Sequence, residues 1–154
     1  MAYNDRFLQN MRDKLGLQQE QESDLGLIMD TFSMLHEHHV DYTAFFRALA
    51  NLRRHGHGPI LDLFVDRSTA SDWLQRYEQR LLAESRSYEA RELAMRTVNP
   101  KYILRNYLAQ QVIQEAQNGD YAALHELIKV LERPFDEQPE YEQYAAPPPD
   151  WGKH

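Results

Sequence analysis

The amino-acid sequence predicts an all-α fold of about six to eight helices, followed by an extended C-terminal strap rich in proline and aromatic residues. Three observations predict it. Apolar residues recur at three- and four-residue spacing along most of the chain, so each run lays one apolar stripe along a helix. Glycine, proline and capping residues fall between those runs rather than inside them. No segment sustains the alternation and β-branched enrichment of a strand. No period of the length used by helical repeats recurs, which sets a solenoid aside.

Taken in order, Phe7, Leu8, Met11 and Leu15 mark a short amphipathic helix that Gly16 closes. Gln18 to Glu22 form a polar loop, and Ser23 or Asp24 caps a helix whose stripe is Leu25, Ile28, Phe32 and Leu35, running to about His38. Asp41 begins the next, with Phe45, Phe46, Leu49 and Leu52 as its buried face, ending before Gly56. Pro59 opens a short helix bearing Ile60, Leu63, Phe64 and Val65, and Asp66 to Ser71 offer alternative caps. A long segment then turns Trp73, Leu74, Tyr77, Leu81 and Leu82 inward. A break near Ser85 to Ser87 precedes Leu93 and Met95, which lead toward Val98.

The Asn99-Pro100 pair combines an N-cap side chain with proline at the first helical position, so a helix is expected to start there. Ile103, Leu104, Tyr107, Leu108, Val112, Ile113 and Ala116 share its apolar face, and Gly119 ends it. Asp120 caps a second helix with Leu124, Leu127, Ile128 and Leu131, stopped by Pro134. The joint is short enough to make the two helices antiparallel. Residues 1–133 are expected to form the helical domain and 134–154 the tail that docks on it. Prolines fix the tail as extended backbone, and Phe135, Tyr141, Tyr144 and Trp151 are its anchoring rings, as an internal strap or a partner's ligand.

Composition narrows the function. The chain has 154 residues, enough for one domain or a subdomain of a larger protein. A formal net charge of -7 argues against a binder of nucleic-acid phosphates. No apolar run is long enough for a membrane span, and no basic-then-apolar leader opens the chain. The absence of cysteine excludes disulfides, thiol catalysis and cysteine zinc sites in these residues.

Five groups of side chains invite a chemical reading. His36, Glu37, His38 and His39 are the densest set of potential metal ligands, with His36 and His39 as candidate zinc ligands and a small metal hydrolase as the corresponding function. The two histidines stand three apart at a helix end, where a zincin needs them four apart around a glutamate. Capping and solvation are therefore the favoured role. His55 and His57 belong to a glycine turn that matches neither a Walker nor a kinase phosphate loop. Arg53 and Arg54, with Lys101 and Arg105, could face phosphates, but solvation or pairing with Asp and Glu is the favoured role. Asn106 sits among apolar neighbours and is expected to hydrogen-bond a loop or the tail. Asp136, Glu137, Glu140 and Glu142 lie in an exposed tail where nothing raises a carboxyl pKa for acid-base work.

The run Asn99-Pro100-Lys101-Tyr102-Ile103-Leu104-Arg105-Asn106-Tyr107-Leu108-Ala109-Gln110 resembles the C-terminal part of the selenoprotein O family. Gly119-Asp120-Tyr121, Pro134-Phe135-Asp136-Glu137-Gln138-Pro139 and the ending Tyr144-Ala145-Ala146 to Pro148-Pro149-Asp150-Trp151 share the likeness, and Phe7 to Leu15 and Asp41 to Arg47 do so more loosely. The resemblance implies a longer, kinase-like (pseudokinase) protein adenylyltransferase that moves AMP from ATP onto protein hydroxyls with magnesium. Its glycine-rich loop, nucleotide-binding lysine and metal-holding Asn and Asp would lie upstream, and nothing here resembles them.

By that resemblance the chain is a non-catalytic C-terminal piece, with no cofactor of its own and Met1 as an added start. Its partners would be the upstream kinase-like lobe, which it buttresses, and the whole enzyme's protein substrates. The alternative is a helical module that recruits substrates or a second protomer. A bacterial parent would place it in the cytoplasm. Relatives carry a cysteine or selenocysteine near the C-terminus, and the sequence stops at His154 without one, so a redox role has no support in these residues.

Overall fold

In the computed structural model, which describes residues 2–146, the chain divides into two compact units, Met1–Asn99 and Pro100–His154. No strand occurs among the described residues. Pro147 to Trp151, and with them the proposed Trp151 anchor, lie outside the described residues.

The first unit holds α1 (Ala2–Leu15), α2 (Asp24–Glu37), α3 (Tyr42–Ala50), the single turns α4 (Leu52–His55) and α5 (Gly58–Leu61), α6 (Arg67–Leu81) and α7 (Tyr88–Val98). Short polar side chains set the starts. Asp41 accepts the Ala44 amide at 2.8 Å, Asp66 the Ser68 amide at 3.1 Å, and Ser87 the Ala90 amide at 3.1 Å. The C-terminal ends of α1 and α2 use the left-handed cap. Gly16 has φ +74, and the Leu17 amide reaches back to the Arg12 carbonyl at 2.8 Å. His39 takes the same role with φ 54, and the Val40 amide bonds the Leu35 carbonyl at 2.9 Å.

Aromatic rings fill the core. Phe45 meets Phe46 and Trp73 edge-on, each with ring centroids 5.3 Å apart, and Trp73 stacks on Tyr77 at 5.1 Å. Their polar atoms are satisfied inside: Trp73 Nε1 donates to Thr31 Oγ1 at 2.9 Å, and Tyr77 Oη to the Leu15 carbonyl at 2.6 Å. Arg47, 6 % exposed, donates to the Asn99 carbonyl at 3.0 Å and joins α3 to the end of α7.

Several expectations are corrected here. The buried stripe of α2 is Asp24, Leu27, Ile28, Thr31, Met34 and Leu35, so Leu25 faces solvent. Neither Ser23 nor Asp24 caps α2 with its side chain. Asp24 instead accepts Arg12 Nε at 2.8 Å, Arg80 Nε at 2.6 Å and the Gln21 amide at 3.0 Å. Leu82 and Leu93 point outward, because α6 ends at Leu81 and the inward face of α7 belongs to Arg91 and Met95. Val65 lies in the loop after α5 and is exposed.

Asn99 starts no helix. It ends α7 in extended backbone, 1 % exposed, and its Nδ2 donates to the Lys14 carbonyl at 3.0 Å. In the second unit residues 100–105 are non-helical, and the amides of Lys101 and Tyr102 donate to the Pro134 carbonyl at 2.8 and 3.2 Å. Helix α8 begins only at Asn106 (Asn106–Gln117), with α9 at Ala122–Leu131 and a 3₁₀ segment at Pro139–Ala145. Leu104, Ile113 and Ile128 are exposed, and the core of this unit is Tyr102, Tyr107, Leu108, Val112, Leu127, Val130 and Tyr144.

Three outcomes test this account. A Cβ at Gly16 would sit 2.6 Å from Met95 Sδ and 2.8 Å from Arg91 Cγ, so Gly16→Ala should cost about 2 kcal/mol or more in urea denaturation. His39→Gly should gain about 1 kcal/mol in the same assay by relieving a left-handed non-glycine residue. Burial pushes the Asp24 carboxyl up, but hydrogen bonds from Arg80, Arg12 and the Gln21 amide outweigh it and hold the group below its ordinary range. A depressed folded value adds stability above the unfolded value of 3.8 and loses it as pH falls through the folded one. Asp24→Asn should therefore cost about 2 kcal/mol at neutral pH, with the gap to wild type closing below about pH 4.

Candidate functional site

One face of α7 carries Tyr88, Arg91, Glu92 and Met95 at helical spacing, and these side chains close a cavity of about 330 Å³ in the first unit. Leu49 and Ala50 of α3, Tyr77 and Leu81 of α6, and Met95 make its apolar wall. Arg53 from α4, His57 from the glycine turn, and Glu78 and Leu82 from the end of α6 complete it. The lining contains no Ser, Thr, Cys or Lys, and the hydroxyl of its Tyr77 is committed to the Leu15 carbonyl.

Charge is distributed unevenly around the cavity. The guanidinium carbons of Arg53 and Arg91 lie 4.7 and 4.5 Å from the centroid of the Tyr88 ring. Arg91 is only 7 % exposed. Its stem runs beside Gly16, where a Cβ would come within 2.9 Å of its Cδ, so the bare glycine keeps the side chain in place. The two carboxylates of the lining are already engaged: Glu78 with His57 Nε2 at 2.5 Å, and Glu92 with Arg96 at 2.9 Å and Arg54 at 3.3 Å. Arg53 and Arg91 have no acidic partner among the described residues.

The residues singled out from the sequence are scattered. His36 is exposed in the last turn of α2 and His39 forms the left-handed cap beyond it. No three His, Asp or Glu side chains among the described residues come together as a group able to hold a metal ion. His55 is exposed. Asn106 is exposed at the first residue of α8, which corrects its expected bond to a loop or the tail.

Lys101 and Arg105 serve the strap. Lys101 Nζ pairs with Glu137 at 3.1 Å and with Glu142, and Arg105, 6 % exposed, donates to the Ala145 carbonyl at 3.1 Å. Burial pulls the Lys101 ammonium down, and the hydrogen bonds to Glu142 and Glu137 outweigh it and hold the group above its ordinary value. Tyr144 is an anchor, donating to Glu126 at 3.0 Å, and burial with that carboxylate pushes its phenol up to about 12. Phe135 is 42 % exposed and does not fill the core. A second cavity of about 410 Å³ lies beside the strap, lined by Tyr107, Gln111, Val112, Gln143 and Tyr144 among others.

The sequence reading missed Tyr88 and Arg91. The available signal was their spacing with Met95, an arginine placed on the apolar stripe of its helix.

No helix among the described residues is long and apolar enough to cross a membrane. A family model described as protein adenylyltransferase SelO matches residues 1–132. The protein nucleotidyltransferase YdiU of Vibrio vulnificus strain CMCP6 is 51 % identical over 153 residues, covering 96 % of this chain and 31 % of that protein. The proteins of the same name from Herminiimonas arsenicoxydans and Vibrio cholerae are 50 % and 49 % identical, covering 97 % and 99 % of this chain and 31 % and 33 % of theirs. The chain thus spans about a third of the length of these relatives. With the match running through both helical units, the chain belongs to the SelO family of protein adenylyltransferases.

Proposed function

We propose that this chain is the C-terminal helical part of a protein adenylyltransferase that moves AMP from ATP to protein hydroxyls, and that it buttresses the catalytic part without supplying reacting groups. One observation carries the reading: several of the buried polar side chains are committed to the chain's own backbone. Arg47 holds the Asn99 carbonyl, Asn99 that of Lys14, Arg105 that of Ala145, and Gln138 those of Val130 and Arg133. Groups committed to carbonyls are not available to move protons or phosphates.

ATP and magnesium are expected of the whole enzyme, and no group of three His, Asp or Glu side chains able to hold a metal ion occurs among the described residues. They belong, on this reading, to the upstream kinase-like lobe, which is the chain's first partner, with the protein substrates of the whole enzyme behind it. The bacterial relatives support a cytoplasmic parent. A second reading, recruitment of substrates or a second protomer, draws on the large apolar side chains left in solvent, Val65 at 99 %, Leu82 at 75 % and Leu93 at 67 % exposed.

Transfer of labelled AMP from ATP to protein separates the readings. The 154-residue chain should be silent, the full-length Vibrio vulnificus relative active, and that relative without the matching segment at least about tenfold weaker. AMP transfer by the chain alone would overturn the proposal. A folded, fully active deletion would leave recruitment as the better account.

A further inference from the structure

The cavity on α7 is lined by two arginines and two glutamates, and the two arginines enter no ion pair among the described residues. Arg91 is 7 % exposed, lines the cavity, and among the described residues makes its side-chain contact with the Tyr88 ring. Arg53 touches the same ring from α4. The fold buries the Arg91 stem beside Gly16, so the five N–H groups of its guanidinium remain open to acceptors in the cavity. The nearby acids do not supply them: Glu78 is held by His57, and Glu92 by Arg54 and Arg96. The rest of the wall is apolar, from Leu49, Leu81, Leu82 and Met95.

We propose that this cavity binds a carboxylate carried on an apolar body, the carboxylate accepting from Arg91 with Arg53 beside it, and the body resting on Leu49, Leu81 and Met95. A planar guanidinium fork matches a carboxylate in two parallel hydrogen bonds, and the enclosing apolar wall selects against a bare, fully hydrated ion. Volume agrees, since a cavity of about 330 Å³ has room for one side chain or a small organic acid. The same chemistry can come from a free organic acid or from an acidic residue flanked by an apolar one in a peptide. The assignment is independent of whether the parent transfers AMP.

Calorimetric titration of the 154-residue chain tests it with 3-phenylpropionate against 3-phenylpropionamide, and acetyl-Glu-Leu-amide against acetyl-Gln-Leu-amide. Each acid should bind at least about tenfold more tightly than its amide, and the tighter acid identifies the source. Arg91→Met should lose the same factor, with Arg53→Met losing less. Inorganic phosphate should bind weakly or not at all. Equal binding of acid and amide to the wild-type chain would overturn the proposal even if Arg91→Met failed to fold. Unchanged binding by a folded Arg91→Met, or phosphate binding without carboxylate binding, would do the same.

Discussion

The C-terminal end of α1 is the constraint on which the first unit depends. Three consecutive carbonyls there, of Lys14, Leu15 and Gly16, lack helical partners and are turned into the protein. Each receives a side-chain donor from a distant element: Asn99 Nδ2 at 3.0 Å, Tyr77 Oη at 2.6 Å and Arg86 at 3.0 Å. Helix ends buried without such donors cost free energy for every orphaned carbonyl, so the three donors fix where α6, α7 and the loop between them lie against α1. Gly16 makes the approach possible twice over. Its positive φ turns the chain, and its missing Cβ leaves room for Met95 and the stem of Arg91. The same glycine therefore shapes both the core and the charged wall of the cavity.

Much of the helical pattern was legible because it rests on local chemistry. Asp41, Asp66 and Ser87 cap as short polar side chains do, and Gly16 and Gly119, with φ +74 and +89, stop helices as glycine does. Asn99-Pro100 shows where locality fails. Both residues favour a helix start, but Asn99 is recruited by the Lys14 carbonyl, and the next residues stay extended to give their amides to Pro134. The stripe of α2 was misjudged for a related reason. Asp24 and Thr31 occupy buried positions because arginines and Trp73 await them, and an apolar pattern cannot announce polar residues that are buried in pairs.

The cavity was illegible for a different physical reason. A buried arginine without an acid is rare, and the acids nearest Arg91 in sequence, Glu89 and Glu92, stand two before and one after it, spacings that do not face it on a helix. Glu89 is exposed, and Glu92 turns to Arg96 and Arg54. Only three-dimensional pairing separates the neutralised charges from the remaining ones.

The strap follows from what two helices cannot do alone. An antiparallel pair such as α8 and α9 buries one stripe and needs a further layer over it. That layer is built from the chain on both sides of the pair. Tyr102, in the extended entry, donates to the Gln138 carbonyl at 3.0 Å and accepts the Gln138 amide at 3.1 Å, while Gln138 Nε2 bonds the carbonyls of Val130 and Arg133 that close α9. Tyr107 and Arg105 hold the carbonyls of Ala146 and Ala145 in turn. Carbonyls of the described strap, at Gln138, Ala145 and Ala146, thus accept from Tyr102, Arg105 and Tyr107, and replacing the strap with a foreign ligand would remove these bonds and take both Gln138 partners from the Tyr102 hydroxyl. Of the two roles the prolines and rings allow, structural layer or ligand for another protein, these bonds favour the layer.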